Sequence, residues 1–223
     1  MRKLGRHWLA LTLVAAAFAT SIALYPRLPA IIPTHWNAAG VINGWMPKAE
    51  GAFIGPGLAL VIILFLILIE PAQSPPAPTG GDRERLPARN YPSIVATVAG
   101  ICLYATVGVL MAGMGWHMDM PSHAAIGLGL VMVVTGNSLR NVPRNGVVGV
   151  RTPWTLANEE VWRRTHRLAR WLFVLAGVFT TVAGVLGEKL APGLIAIGAA
   201  AAISVSYSYV IWRRLGGASG GSA

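Results

Sequence analysis

Basic residues alternate in density between the apolar runs of this chain, and that alternation constrains its fold more than any other feature. Six runs are long enough to be read as helices crossing a bilayer: Trp8 to Tyr25, Ala52 to Ile69, Ile94 to Met114, about Pro121 to Leu139, Trp171 to Gly187, and about Leu194 to Trp212. Fifteen of the 18 Lys and Arg residues fall before the first run, between the second and third, between the fourth and fifth, or after the sixth. The other intervals hold only Arg27, Lys48 and Lys189. Cytoplasmic segments retain Lys and Arg, whereas translocated segments are depleted of them. The pattern predicts an all-α integral membrane protein, a six-transmembrane helix bundle with both termini in the cytoplasm.

Composition agrees. Hydrophobic residues make up 54% of the chain and charged ones 12%, against about 25% charged in ordinary soluble domains. A net charge of +10 raises the question of nucleic acid. Basic loops that orient a membrane protein and meet anionic lipid explain it better, so the lipid bilayer is the expected partner and no direct nucleic-acid contact is expected. The single cysteine, Cys102, permits neither an intrachain disulfide nor a cysteine metal cluster.

The first run follows a basic segment like that of a signal peptide. Its apolar length exceeds the usual h-region of about 7 to 15 residues, which favours a signal-anchor. The fourth run is the weakest. It must include His123 and Asn137 near its ends, which predicts a place inside the bundle. Pro56 is expected in the first turn of the second helix, where a missing N–H costs little. Gly108 with Ala112, and Gly198 with Ala202, have the spacing of close helix packing in lipid. Residues 73–81 form a Pro/Gly-rich linker and 216–223 a Gly/Ser-rich tail. The expected organisation is an N-terminal helical hairpin over 1–72, a cytoplasmic linker over 73–92, a four-helix region over 93–215 and a flexible tail.

Two polar segments stand out. The outer one runs Pro33-Thr34-His35-Trp36-Asn37 to Gly40 and on through Gly44-Trp45 to Lys48. Proline and glycine predict a compact, turn-rich loop. Trp36 and Trp45 suit the membrane interface, which would leave His35 and Asn37 beside the mouth of the bundle. The loop reads either as an aromatic anchor or as a recognition surface for a peptide or lipid outside the cell.

The inner segment runs from Gly136-Asn137 through Asn145 and Gly149 to Arg151-Thr152-Pro153-Trp154-Thr155. Thr152 followed by Pro153 predicts a helix start. Trp154, Ala157, Val161, Thr165, Leu168 and Leu172 share one helical stripe. Glu159, Glu160, Arg163, His166, Arg167 and Arg170 lie around the opposite half. Glu159 with Arg163, and Glu160 with Arg164, have the favourable acid-first spacing. The segment predicts a cytoplasmic interfacial amphipathic helix before the fifth span, its basic face toward lipid head groups. Glu159 and His166 are two turns apart, roughly 10 Å of rise, too far for direct contact. No metal or cofactor is expected, and no catalytic residue is assigned. A membrane enzyme or lipid-acting factor using the inner Asn/Arg/Glu/His cluster is the alternative.

The outer run Ile32-Pro33-Thr34-His35-Trp36-Asn37-Ala38-Ala39-Gly40 resembles a small N-terminal domain of unknown function found in bacterial membrane proteins. The inner run, with Asn145, Gly149, Arg151-Thr152-Pro153-Trp154-Thr155, Glu159, Trp162 and His166, resembles the signature of the SdpI family. That resemblance implies a multi-pass protein of the bacterial cytoplasmic membrane, conferring immunity to an extracellular peptide toxin and signalling by holding a cytoplasmic transcriptional repressor at the membrane. It would place His35, Trp36, Asn37, Gly40, Trp45 and Lys48 on the toxin-facing side. Asn137, Asn145, Arg151, Thr152, Pro153, Trp154, Glu159, Trp162 and His166 would form the inner signature.

Overall fold

A computed structural model describes residues 2–37, 39–70, 91–116, 119–139, 142–146, 148–188 and 190–217. The expected 73–81 linker, the tail beyond 217, and Arg83, Arg85, Arg89, Arg140 and Lys189 lie outside the described residues. The chain is mostly helical. In order come α1 (Arg2–Arg6), α2 (Trp8–Leu24), a 3-10 turn (Tyr25–Arg27), β1 (Ile31–Trp36), β2 (Ile42–Pro47), α3 (Lys48–Leu68), α4 (Tyr91–Gly113), α5 (Met120–Ser138), α6 (Pro153–Ala157), α7 (Glu159–Val185) and α8 (Leu190–Arg214). Among the described residues, five helical segments are long and apolar enough to cross a membrane: Trp8–Arg27, Lys48–Leu68, Tyr91–Gly113, Glu159–Val185 and Leu190–Arg214. The weak fourth run is helical as α5. Its His, Asn and Ser residues dilute its apolar surface, and it is not one of the five.

The chain divides into two compact units, and the division falls within α5 and near the end of α7. In the first unit, α2, α3 and α4 pack together under an antiparallel hairpin of β1 and β2. Leu28, Ile32, Ala52 and Leu110 form a buried cluster there, with Tyr25, Phe53 and Val109 against it. This hairpin was not foreseen from the sequence, which predicted only turns. Ile32 is wholly buried and pins β1 to the helices.

Pro56 departs from expectation. Because α3 begins at Lys48, Pro56 lies inside the helix and not in its first turn. Its ring cannot donate to the carbonyl four residues earlier, that of Ala52. The hydroxyl of Ser21, on α2, donates to the Ala52 oxygen at 2.7 Å, and Ser21 is fully buried. A neighbouring helix thus supplies the donor the proline removed, as a low-dielectric setting demands. Ser21→Ala is expected to destabilise the protein by roughly 1–2 kcal/mol, read as a lower thermal midpoint in detergent. Ser21→Thr should retain the donor and most of the stability.

At the far end of α3, Glu70 is buried and accepts from Arg6 Nη1 at 2.9 Å, while His7 Nε2 lies 3.3 Å from its other oxygen. The Tyr91 hydroxyl donates to the Leu66 carbonyl at 2.7 Å. Three helix ends are tied by these contacts.

In the second unit, α5 and α7 approach through glycines. A side chain on Gly177 would place its Cβ 2.6 Å from the Gly129 carbonyl oxygen, and one on Gly129 the same distance from the Gly177 oxygen. Gly136 faces the Arg170 carbonyl in the same way, at 3.0 Å. In the first unit Gly184 meets the Ser122 carbonyl at 2.8 Å. Of the small-residue pairs expected to pack, Gly108 lies against the His123 ring, but Gly198 faces open space.

Candidate functional site

The outer segment is a folded hairpin closed by its own side chains. Asn37 Oδ1 accepts from the backbone N–H groups of Ala39 and Val41, each at 3.0 Å. Gly40 follows with φ +79°, a left-handed conformation that suits glycine. A Cβ there would sit 2.7 Å from Pro121 Cδ. Asn37 and Gly40 therefore shape the turn. His35 pairs with Gly44 across the hairpin, and its Nδ1 lies 2.6 Å from Asn43 Oδ1. Both side chains are exposed. Trp36 is half-buried and Trp45 is exposed. Lys48 starts α3, with its ammonium 4.7 Å from the centre of the Tyr25 ring and within reach of the Leu28 carbonyl. The residues available for contact are thus His35, Asn43 and Trp45, backed by Trp36. Asn43 was missed by sequence reasoning, although hairpin register would have placed it beside His35.

The inner segment folds into a cap over the first turns of α7. Asn145 is buried. Its amide donates to the carbonyls of Pro143 (2.8 Å) and Val148 (3.2 Å), and its oxygen accepts from the Val148 N–H at 2.8 Å. Thr152 and Thr155 form a reciprocal capping box at the start of α6, with Pro153 in the first turn. The Thr155 hydroxyl also donates to the Val150 carbonyl at 2.8 Å. Arg151 is exposed and donates through Nη1 to the Gly146 carbonyl. Trp154 donates to Ser208 Oγ at 2.7 Å and sits among Tyr209 and Trp212, which ties α6 to α8.

Trp162 and His166 form the centre of the cap. Their rings stack with centroids 3.9 Å apart, and both are buried. Trp162 donates to the Val142 carbonyl at 3.0 Å. His166 Nδ1 lies 2.8 Å from the Trp162 carbonyl, and the Val150 N–H donates to Nε2 at 3.1 Å. A carbonyl only accepts and an amide N–H only donates, so the ring is neutral with its proton on Nδ1. Both nitrogens are committed to holding the loop. General acid–base work or metal ligation by His166 would first have to break the cap, which weighs against an enzyme built on this cluster.

The expected amphipathic helix is altered in two ways. Asn158 has extended backbone and breaks the helix after α6. Its oxygen accepts from the N–H groups of Glu160 and Val161 at 2.9 and 3.1 Å, capping α7. The buried face of α7 is Val161, Trp162, Thr165, His166 and Ala169, so His166 belongs to the interior and not to the polar half. Of the two expected ion pairs, Glu160 with Arg164 forms, but Arg163 also binds Glu160, and Glu159 pairs instead with Arg144 at 3.2 Å. Asn137 accepts from Arg170 at 3.2 Å. Exposed arginines 151, 163, 164 and 167 leave the cap's outer surface basic.

Residues 141–210 match the SdpI/YfhL protein family, and residues 12–60 match a domain of unknown function (DUF1648). The chain is 27% identical over 220 residues to the immunity protein SdpI of Bacillus subtilis (strain 168), covering 95% of this chain and 98% of that protein. It is 32% identical over 146 residues to dicarboxylate transporter 1, chloroplastic, of Spinacia oleracea, a stretch that spans 60% of this chain but 24% of the transporter. No solved structure matches the chain.

Proposed function

We propose that this chain, whose residues 141–210 match the SdpI/YfhL family and which is 27% identical to an immunity protein over 95% of its length, is a bacterial inner-membrane immunity factor, protecting the cell against a membrane-active peptide and relaying its presence by recruiting a cytoplasmic repressor. The observation that carries this reading is collinearity. Similarity to an immunity protein extends over 95% of the chain and takes in both the hairpin and the cap.

The topology that fits has six spans, α5 included, with both termini cytoplasmic. The N-terminal hairpin region (1–72) and the SdpI-like four-helix region are joined by a cytoplasmic linker from 73 to the start of α4 at Tyr91. The hairpin lies outside the cell and offers His35, Trp36 and Trp45 to the peptide. The cap lies inside, and its basic surface is the repressor-facing side. At 27 residues, α7 rises about 40 Å, against a hydrocarbon core of about 30 Å. Its first turns therefore fit the inner head-group region, where the amphipathic face would lie.

Expression of the protein in a sensitive host is expected to raise survival under challenge by membrane-active peptides. The His35→Ala/Trp45→Ala double variant should return survival to that of cells lacking the protein, at unchanged membrane abundance. Equal survival with and without the protein across a panel of such peptides would overturn the reading. Reporter fusions at Gly40 and Asn158 that report the same compartment would overturn the topology.

A further inference from the structure

A cavity of about 180 Å³ lies between α3 and α4 in the first unit, roofed by β1. Gly55, Pro56, Cys102, Ala105 and Thr106 line it, and Thr34 adjoins it where β1 meets Gly51. The notch exists because glycines and a proline stand where larger side chains would fill it. The walls carry no charged group, and the Thr106 hydroxyl is already committed to the Cys102 carbonyl at 2.8 Å. An apolar cavity of about 150 Å³ stays dry and takes up benzene or xenon, since its walls offer water no partners. Left empty, it forfeits dispersion contacts on every wall.

The mouth decides what enters. Ile54 and Leu58 line the cavity yet are 52% and 59% exposed. Both lie on a helix apolar enough to cross a membrane, so the surface they present meets hydrocarbon. The cavity is continuous with that surface. The geometry points to a lipid site: the cavity between α3 and α4 holds one acyl chain of a bilayer phospholipid. A peptide backbone is a poorer occupant, because the mostly apolar walls, with the Thr106 hydroxyl already bonded, offer too few partners for a run of N–H and C=O groups. This goes beyond the immunity reading and does not depend on it.

The test uses the full chain in nanodiscs of phosphatidylcholine carrying a diazirine in one acyl chain, with adducts mapped by mass spectrometry after illumination. Pro56 and Thr106 are the discriminating positions. Both line the cavity, and both are buried from the outer surface, so annular lipid does not reach them. Adducts on these two residues are expected in the wild type. Ala105→Leu fills the cavity from an exposed position and should lower their yield about tenfold, the loss that follows when about two methylene groups are denied burial. Cys102→Ala enlarges the cavity and should keep the adducts. Adducts confined to the outward-facing Val61 and Phe65, or a yield on Pro56 and Thr106 unchanged by Ala105→Leu in a protein that elutes as wild type, would overturn the assignment. Loss of those adducts on adding a membrane-active peptide, with the peptide itself cross-linked there, would overturn it in favour of a peptide occupant.

Discussion

Gly177→Val is expected to remove the protein from the membrane fraction, or to lower its thermal midpoint more than any other single change proposed. A Cβ at 177 meets the Gly129 oxygen at 2.6 Å and the Val133 nitrogen at 2.7 Å. Both are backbone atoms of α5, so no side chain can swing aside. Overpacking costs about 1–3 kcal/mol where neighbours can adjust. Here two helices would have to separate, and about 4 kcal/mol or more is expected. Close backbone approach is the main source of helix association in lipid, where no hydrophobic drive exists between helices. Gly198→Ala is the control: nothing lies within 4 Å of its added Cβ. Equal midpoints for the two variants would refute the seam between α5 and α7.

Gly149→Ala is expected to open the cap while leaving the hairpin intact. Gly149 has φ +120°, which costs a residue with a Cβ roughly 1–3 kcal/mol. The new methyl would also drive into His166 Nε2 and lie 3.1 Å from Cε1. The ring would have to leave its stack on Trp162 and release the Val150 N–H. Together these amount to about 3 kcal/mol or more of local stability. Hydrogen exchange over residues 142–156 should speed up and Trp162 fluorescence should change, with exchange in 31–47 unchanged. Unaltered protection of the Val150 amide would contradict the cap geometry.

How much of this was legible in the sequence depends on the residue. The apolar runs were legible because a 20-residue stretch without charge has few other fates, and five of the six correspond to helices suited to a bilayer. The hairpin was not legible. Its strands are short and contain Pro33 and Pro47, and its stability comes from Ile32 packing on α3 and α4, a long-range contact without periodicity. The inner signature was recognisable as a set of residues, but its architecture was not. His166 sits among arginines in sequence and looks solvated. Gly149 and Val150, folding back over α7, lie against its ring without any sequence signal. The break at Asn158 had a local signal, an Asn followed by two glutamates, which is the composition of a helix start. The ion pair between Arg144 and Glu159 had none, because it depends on that same fold-back.

The bond from Ser21 to the Ala52 carbonyl has a biosynthetic consequence. While α3 emerges alone, its proline leaves that oxygen bare, and no lipid can quench it. Lateral release of α3 into the bilayer before α2 is alongside would strand a polar group in hydrocarbon. Insertion of α2 and α3 as a pair is therefore expected to spare that exposure. A protease that trimmed the amino-terminal helix would undo that partnership, and would also deprive the Glu70 carboxylate of its two partners, Arg6 and His7.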